Sequence, residues 1–421
     1  MSEWKKVKIG DICKIVKGTT GIASAEPGEY PLVVTAEERK TCSTYQFDCE
    51  AVCIPLVSSS GHGKKSLKNV HYQSGKFALG TILCAVIPNN PQELDARYLY
   101  QYLQFYKDII LVPLMKGAAN VSLSMKDILA VEFPLPPIER QRELSNLFVS
   151  LQEKQKELSA EYEKQTDYAK LLRQNILQQA IEGKLTADWR KQNPVQKGNP
   201  DYDAEALFEQ IQKERNNEKK HIILNDIGWY ISTLDDFVKL KIGGTPARNN
   251  PLFWKPEIPW VSSGEVANCE IFSTKEQISY EGSNNSAAKI LPVGTVLIAM
   301  IGQGKTRGQA AILRIEASTN QNVCAIILPK DLILSEFLYI YFCSRYEESR
   351  KVATGGNQAA LSGTKISKFI FPLPPLAEQR EIVKQVEKHL QTITNLENQI
   401  TEREQMTKKL MQSILKGAFL A

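Results

Sequence analysis

One motif occurs twice in this chain at a fixed separation. Residues 133–143 read FPLPPIERQRE and residues 371–381 read FPLPPLAEQRE, an offset of 238. The same offset, without a gap, aligns Gln174-Asn175-Ile176-Leu177 with Gln412-Ser413-Ile414-Leu415 and Ala180 with Ala418. It also aligns Gly117 with Gly355 and Leu123-Ser124 with Leu361-Ser362. Further upstream the offset drifts: GTIL at 80–83 meets GTVL at 294–297, and Trp4 meets Trp229. Insertions and deletions in loops produce such drift, whereas a rigid segment keeps its length. A period above 200 residues is a duplicated domain pair rather than a solenoid, which needs repeats of about 20–50 residues. Pseudo-twofold internal symmetry is the expectation.

Each copy has a globular part and a rod. Residues 1–137 and about 224–375 mix short β-branched runs with Gly, Pro and Asn turns. GTILCAVI (80–87), GTVLIAMI (294–301) and VCAIILP (323–329) read as buried strands. YLYQYLQFYK (98–107) and FLYIYFCSRYEE (337–348) read as matching helices with aromatics at 3–4 spacing. These signals predict an α+β class. Residues 138–182 and 376–421 follow a double proline, tolerated at a helix start but barring backward extension, and read as one long helix each.

A heptad runs through both rods. In the first copy the apolar seam is Leu144, Leu151, Leu158 and Leu172, with Phe148, Tyr162, Ala169 and Ile176 four residues on. In the second it is Ile382, Leu396 and Leu410, with Val386, Ile393, Ile400 and Ile414. At ~1.5 Å per residue each rod spans roughly 60–67 Å, too long for burial in one domain. The two helices are therefore expected to pair as an antiparallel coiled coil. Residues 183–223, including a polar amphipathic helix at 203–220, read for the most part as a solvated connector.

Composition excludes several functions. The net charge is +5, mildly basic, and 43% of residues are hydrophobic, enough for sizeable cores. No run approaches the 18 or so apolar residues of a membrane span, and MSEWKKVKIGD lacks a signal core, so the cytoplasm is the expected compartment. Eight cysteines without a CxxC pair, and four scattered histidines, suggest reduced thiols and no metal site. GQGKT (302–306) lacks the first P-loop glycine, because Ala299 stands there. NNPLF (249–253) has Leu252 where an adenine-methyltransferase motif needs proline. No catalytic constellation is visible.

Charge placement says more than the total. Each globular part holds 15 Lys/Arg and 13 Asp/Glu, yet residues 51–92, 282–315 and 349–377 contain no acid. Within the first two windows lie SSSGHGKKS (58–66) and IGQGKTRGQ (301–309). Glycine lets a backbone approach a phosphate closely; Lys supplies point charge, and Arg and Gln can read base edges. Two such loops in a duplicated chain point towards nucleic acid.

The combination resembles the specificity (S) subunit of type I restriction–modification enzymes. The resemblance rests on Phe133–Glu143, Gln174–Leu185 with the following TADWR, Phe371–Glu381, GGTPARNNPLFW (243–254), IPWVSSGE (258–265) and TGGNQAALS (354–362). It implies two target recognition domains, each reading one half of a bipartite DNA target. It implies also that the paired helices set the gap and dock two methyltransferase (M) subunits, and through them restriction/translocase (R) subunits. S-adenosylmethionine, ATP and Mg would belong to those partners, and this chain would be non-catalytic. Loop composition nominates Lys64, Lys65 and Lys68 in the first domain for DNA contact. In the second it nominates Arg248, Gln303, Lys305, Arg307 and Gln309, with Ser362 and Lys365 for phosphates. A single-chain DNA methyltransferase or nuclease, or a protein-only coiled-coil scaffold, are the competing readings.

Overall fold

A computed structural model describes residues 4–60, 63–118, 120–216, 223–302, 304–352 and 360–420. It divides into two compact units: residues 1–163 with 401–421, and residues 164–400. The divisions fall inside the long helices, so each unit is one globular part plus segments of both rods.

In the first unit Cys13–Lys17, Leu83–Pro88, Ala51–Pro55 and His71–Gln73 form a four-stranded sheet in that order. Ala51–Pro55 is buried at every position, which explains its unbroken apolar run: both faces are covered. A second sheet orders Lys40–Cys42, Tyr30–Val33, Lys76–Leu79 and Phe47–Asp48. The helix Ala96–Ile110 begins where the Asp95 carboxylate accepts from the Arg97 and Tyr98 amides, and it turns Tyr98, Leu99 and Leu103 into the core.

The second unit repeats this plan. Lys239–Ile242, Val323–Ile327, Val296–Ala299 and Ala310–Leu313 follow the same order, and Cys269–Ile271 adds a fifth strand. In each unit a further sheet contains one strand that pairs in parallel with a strand that follows much later: Tyr30–Val33 with Lys76–Leu79, and Ile258–Val261 with Ser318–Thr319. Gly18 and Gly243, each just after the first sheet strand, explain their residue type. A Cβ would lie 2.3 Å from the Gly80 carbonyl oxygen at the first and 2.1 Å from that of Thr319 at the second. The aromatic run at 337–348 is not one helix: Ser335–Ser344 stops at Arg345, and a second helix, Tyr346–Val352, follows.

The FPLPP motif works as a joint. Its strands, Glu132–Pro134 and Ile370–Leu373, pair antiparallel with Lys6–Lys8 and Tyr230–Thr233. Phe133 and Phe371 are fully buried. The long helices that follow are Ile138–Ile181 and Leu376–Leu420. Gln141 and Gln379, both 0% exposed, fasten each helix to its globular part. Gln141 Nε2 donates to the Pro136 carbonyl at 2.8 Å, and its Oε1 accepts from the Asp95 amide at 2.9 Å. Gln379 does the same with Pro374 at 3.1 Å and the Leu334 amide at 3.0 Å. A buried amide satisfied at both ends sets where the rod leaves the domain.

Within the first unit Phe419 packs on Phe148, and the hydroxyls of Tyr162 and Thr407 are 3.0 Å apart. Within the second, Arg173 reaches Thr394 at 3.2 Å and Glu397 at 3.0 Å. In the first unit numbers thus rise along one helix as they fall along the other. The expected seam needs correction. Leu172, Leu396, Leu410 and Ile414 are exposed, at 38–61%. One residue further on, Met411 is buried and Leu415 packs on the core of the first unit, while Arg173 and Glu397 pair with each other at the second. A straight α-helix drifts about 20° per heptad against a strict seven-residue repeat. Over the four heptads from Ile382 to Leu410 this approaches the ~100° that separates neighbouring residues. Leu144, Ile176 and Ile393 are buried, and Leu151, Leu158 and Ile400 half-buried.

The connector holds the expected helix, at 204–215, and a second at 187–192, yet it departs from a solvated linker: Leu207, Phe208 and Ile211 are buried in the core of the second unit. Its carbonyls at Pro200 and Asp201 accept from the Leu376 and Ala377 amides, satisfying two orphan donors of the second long helix.

Candidate nucleic-acid interface

The two glycine-and-cation loops occupy equivalent positions. In the first unit the Leu123 amide donates to the Leu56 carbonyl at 2.9 Å; in the second Leu361 donates to Met300, also at 2.9 Å. Each loop thus leaves the same strand and returns past the segment that leads to the long helix.

Serines shape the first loop. The Ser58 hydroxyl donates to the Lys64 carbonyl at 2.5 Å and accepts from the Ser66 amide at 3.2 Å. Ser59 accepts from the Lys68 amide at 2.9 Å. With the backbone held this way, Lys64, Lys65 and Lys68 are all exposed. Gly63, at φ +72°, has the left-handed turn that frees the chain to pass Ala118, whose oxygen would lie 2.4 Å from a Cβ.

The second loop is held from one side by the helix Tyr346–Val352. The Tyr346 hydroxyl donates to the Lys305 carbonyl at 2.6 Å. Arg350 Nη1 donates to the Gly304 carbonyl at 2.7 Å and the Arg307 carbonyl at 3.3 Å. Lys305 is exposed, whereas Arg307 and Gln309 are half-buried. Gln303 lies outside the described residues.

Other nominated residues have structural duties. Arg248 stacks on Trp254, its guanidinium carbon 3.7 Å from the ring centre, and pairs with Glu276 through Nη2–Oε2 at 3.0 Å and a second, shorter contact. The pair pulls the Glu276 carboxyl below its ordinary pKa. Arg248 therefore presents a largely neutralised cation, although about half of its side chain is exposed. Ser362 caps the short helix Gly363–Ser367 by accepting from the Lys365 amide at 3.2 Å. Ser124 does the same for Asp127 at 3.0 Å. The Leu-Ser match between the copies is thus a helix-capping motif, and Lys365 sits half-buried on that helix.

Tyr346 and Arg350 support the loop although its composition nominates neither. Their signal is the i, i+4 spacing that puts both on one helical face. Among the described residues no group of three or more His, Cys, Asp or Glu could hold a metal, and no helix is long and apolar enough to cross a membrane.

The fold and its loops define a duplicated α+β protein with two similar domains, each exposing lysine on a loop whose backbone is held by hydrogen bonds, from its own serines in the first and from a neighbouring helix in the second. The Type I restriction modification DNA specificity domain matches residues 1–165 and 226–404, and the chain belongs to that family. It is 25% identical over 429 residues to the EcoDI specificity subunit of Escherichia coli, covering 99% of this chain and 88% of that one. It is 29% identical over 174 residues to the EcoR124I/EcoR124II specificity subunit of the same species, covering 40% of this chain but only 42% of that relative. The HsdS subunit of Thermoanaerobacter tengcongensis shares the fold, with a TM-score of 0.59 at 16% identity over 100% of this chain and 97% of that one. A chain from work on complex assembly and conformational transition of the type I R-M system gives 0.66 at 17%, over 100% and 98%.

Proposed function

We propose that this chain is the DNA-reading subunit of a type I restriction–modification assembly, and that each unit recognises one half of a bipartite target. The supporting observation is that one topology occurs twice, with a lysine-bearing loop on the same strand end in both copies. The long helices form an antiparallel coiled coil that sets the gap between the halves. Leu171, Leu172, Leu396, Met406 and Leu410, exposed on those helices, are apolar surface suited to a protein partner, which we assign to methyltransferase subunits. Methylation with S-adenosylmethionine, and ATP- and Mg-dependent translocation and cleavage, are the work of the partner subunits. Two readers on one scaffold turn two weak contacts into one avid one.

The test is DNA affinity of the purified chain with its methyltransferase subunits across a salt series. Phosphate contacts by the loop lysines release counterions, so the affinity should fall steeply as salt rises. Salt-independent or absent DNA binding would favour a protein-only scaffold, and S-adenosylmethionine bound by this chain alone would favour a single-chain methyltransferase.

A further inference from the structure

The second loop reads as a part whose shape is imposed from outside. Its carbonyls at Gly304, Lys305 and Arg307 all accept from one face of the helix Tyr346–Val352. Arg350 stacks on the Tyr346 ring, 5.5 Å from its centre, so the two donors also hold each other. Gly308, at φ +86°, completes the fit: a Cβ there would lie 3.4 Å from the Ser349 side chain and the Tyr346 carbonyl, in a conformation that favours glycine. Ser349 is itself buried. Bonds from the helix side leave the opposite side of the loop for Lys305, which is exposed.

We infer that Arg350 and Tyr346 are positioning residues for DNA sequence recognition by the second unit: they act through the loop 304–309, without touching DNA. The inference rests on the DNA-reading role proposed above. The chemistry favours Arg over any other cation at this position. Both bonds leave one nitrogen, Nη1, and the flat guanidinium that carries it lies over the Tyr346 ring, whereas a lysine ammonium is a compact point charge on a flexible stem with no plane to stack. Lysine at 350 keeps the charge and loses the fixed placement of the donor. Base reading needs side chains placed to hydrogen-bond distance, so a loop free to shift forfeits discrimination while its cations still attract phosphate.

The experiment uses the full-length chain with its methyltransferase subunits and duplexes carrying the target obtained by mapping methylated adenines. Each half of the target is altered in turn. Arg350→Lys is expected to lower discrimination at one half by about tenfold, the scale of one lost base contact, with the other half read as before. The slope of log affinity against log salt stays unchanged, since no phosphate contact is lost. Tyr346→Phe removes only the hydroxyl bond to Lys305 and gives a smaller loss at the same half. Wild-type discrimination in both variants overturns the inference, as does equal weakening at both halves. So does normal behaviour in Arg350→Lys with a reduced salt slope in Arg350→Ala, which would mark a direct phosphate contact. A wild-type assembly that cannot tell target from altered duplexes overturns the DNA-reading role itself.

Discussion

Arg140 and Glu378 occupy the same place in the two copies, immediately before the buried glutamine, and Glu378→Ala against Arg140→Ala measures what their surroundings are worth. The Glu378 side chain is 1% exposed. It pairs with Arg190 and accepts from the Thr186 hydroxyl at 2.7 Å and the Trp229 indole at 2.8 Å. Arg140 makes only a surface pair with Glu143, at 2.8 Å with 44% and 65% of the side chains exposed. Removing Glu378 leaves a mostly buried guanidinium and two buried donors without an acceptor. Breaking a buried pair from one side costs about 3–5 kcal/mol, whereas a surface pair contributes about 0–1 kcal/mol. Urea unfolding, followed by tryptophan fluorescence with Trp229 as the local reporter, should therefore show a large drop in midpoint for Glu378→Ala. Arg140→Ala should stay near wild type. A cost below about 1 kcal/mol for Glu378→Ala, or equal costs for the two variants, would show that burial adds nothing to the Glu378 pair.

Two further outcomes can be checked separately. Deleting one heptad from each long helix removes ~10 Å of rod, equivalent to roughly three base pairs at ~3.4 Å each. Methylation mapping should then show a shorter gap between unaltered halves; an unchanged gap would end the spacer role of the helices. His71 is 5% exposed, and burial, reinforced by Arg39, lowers its pKa from 6.5 to about 4. The unfolded chain takes up this proton below about pH 6.5 while the fold resists until about pH 4, so stability present above pH 6.5 is lost between those values. The loss is up to about 3 kcal/mol. His71→Gln should flatten the pH dependence of the urea midpoint over that range, and an unaltered slope would contradict the assignment.

Duplication was legible because rigid parts preserve length: the 238-residue offset spans strand, joint and helix, and the structure shows why. Gln141 and Gln379 need fixed distances to Pro136 and Pro374 within the motif, and to partners in the globular parts. The heptad was legible as a pattern but not in phase, since a counting rule of 7 cannot follow a helix with 3.6 residues per turn over four heptads. Leu396 and Leu410 are apolar and still exposed, so apolarity alone did not mark the seam. The connector misled because its composition is polar; three apolar residues, Leu207, Phe208 and Ile211, are enough to dock its helix. The loops were found from glycine and charge, yet composition could not separate an exposed Lys305 from an Arg248 already committed to Glu276 and Trp254. Ion pairs between residues 28 apart in sequence leave no periodic trace.

If the two units read independently, exchange of residues 1–137 for those of a relative with a different target alters one reader alone. Adenine methylation mapped across a genome should then change in one half of the bipartite sequence, with the other half and the gap retained. Change in both halves, or in neither, would mean that the units do not read separately.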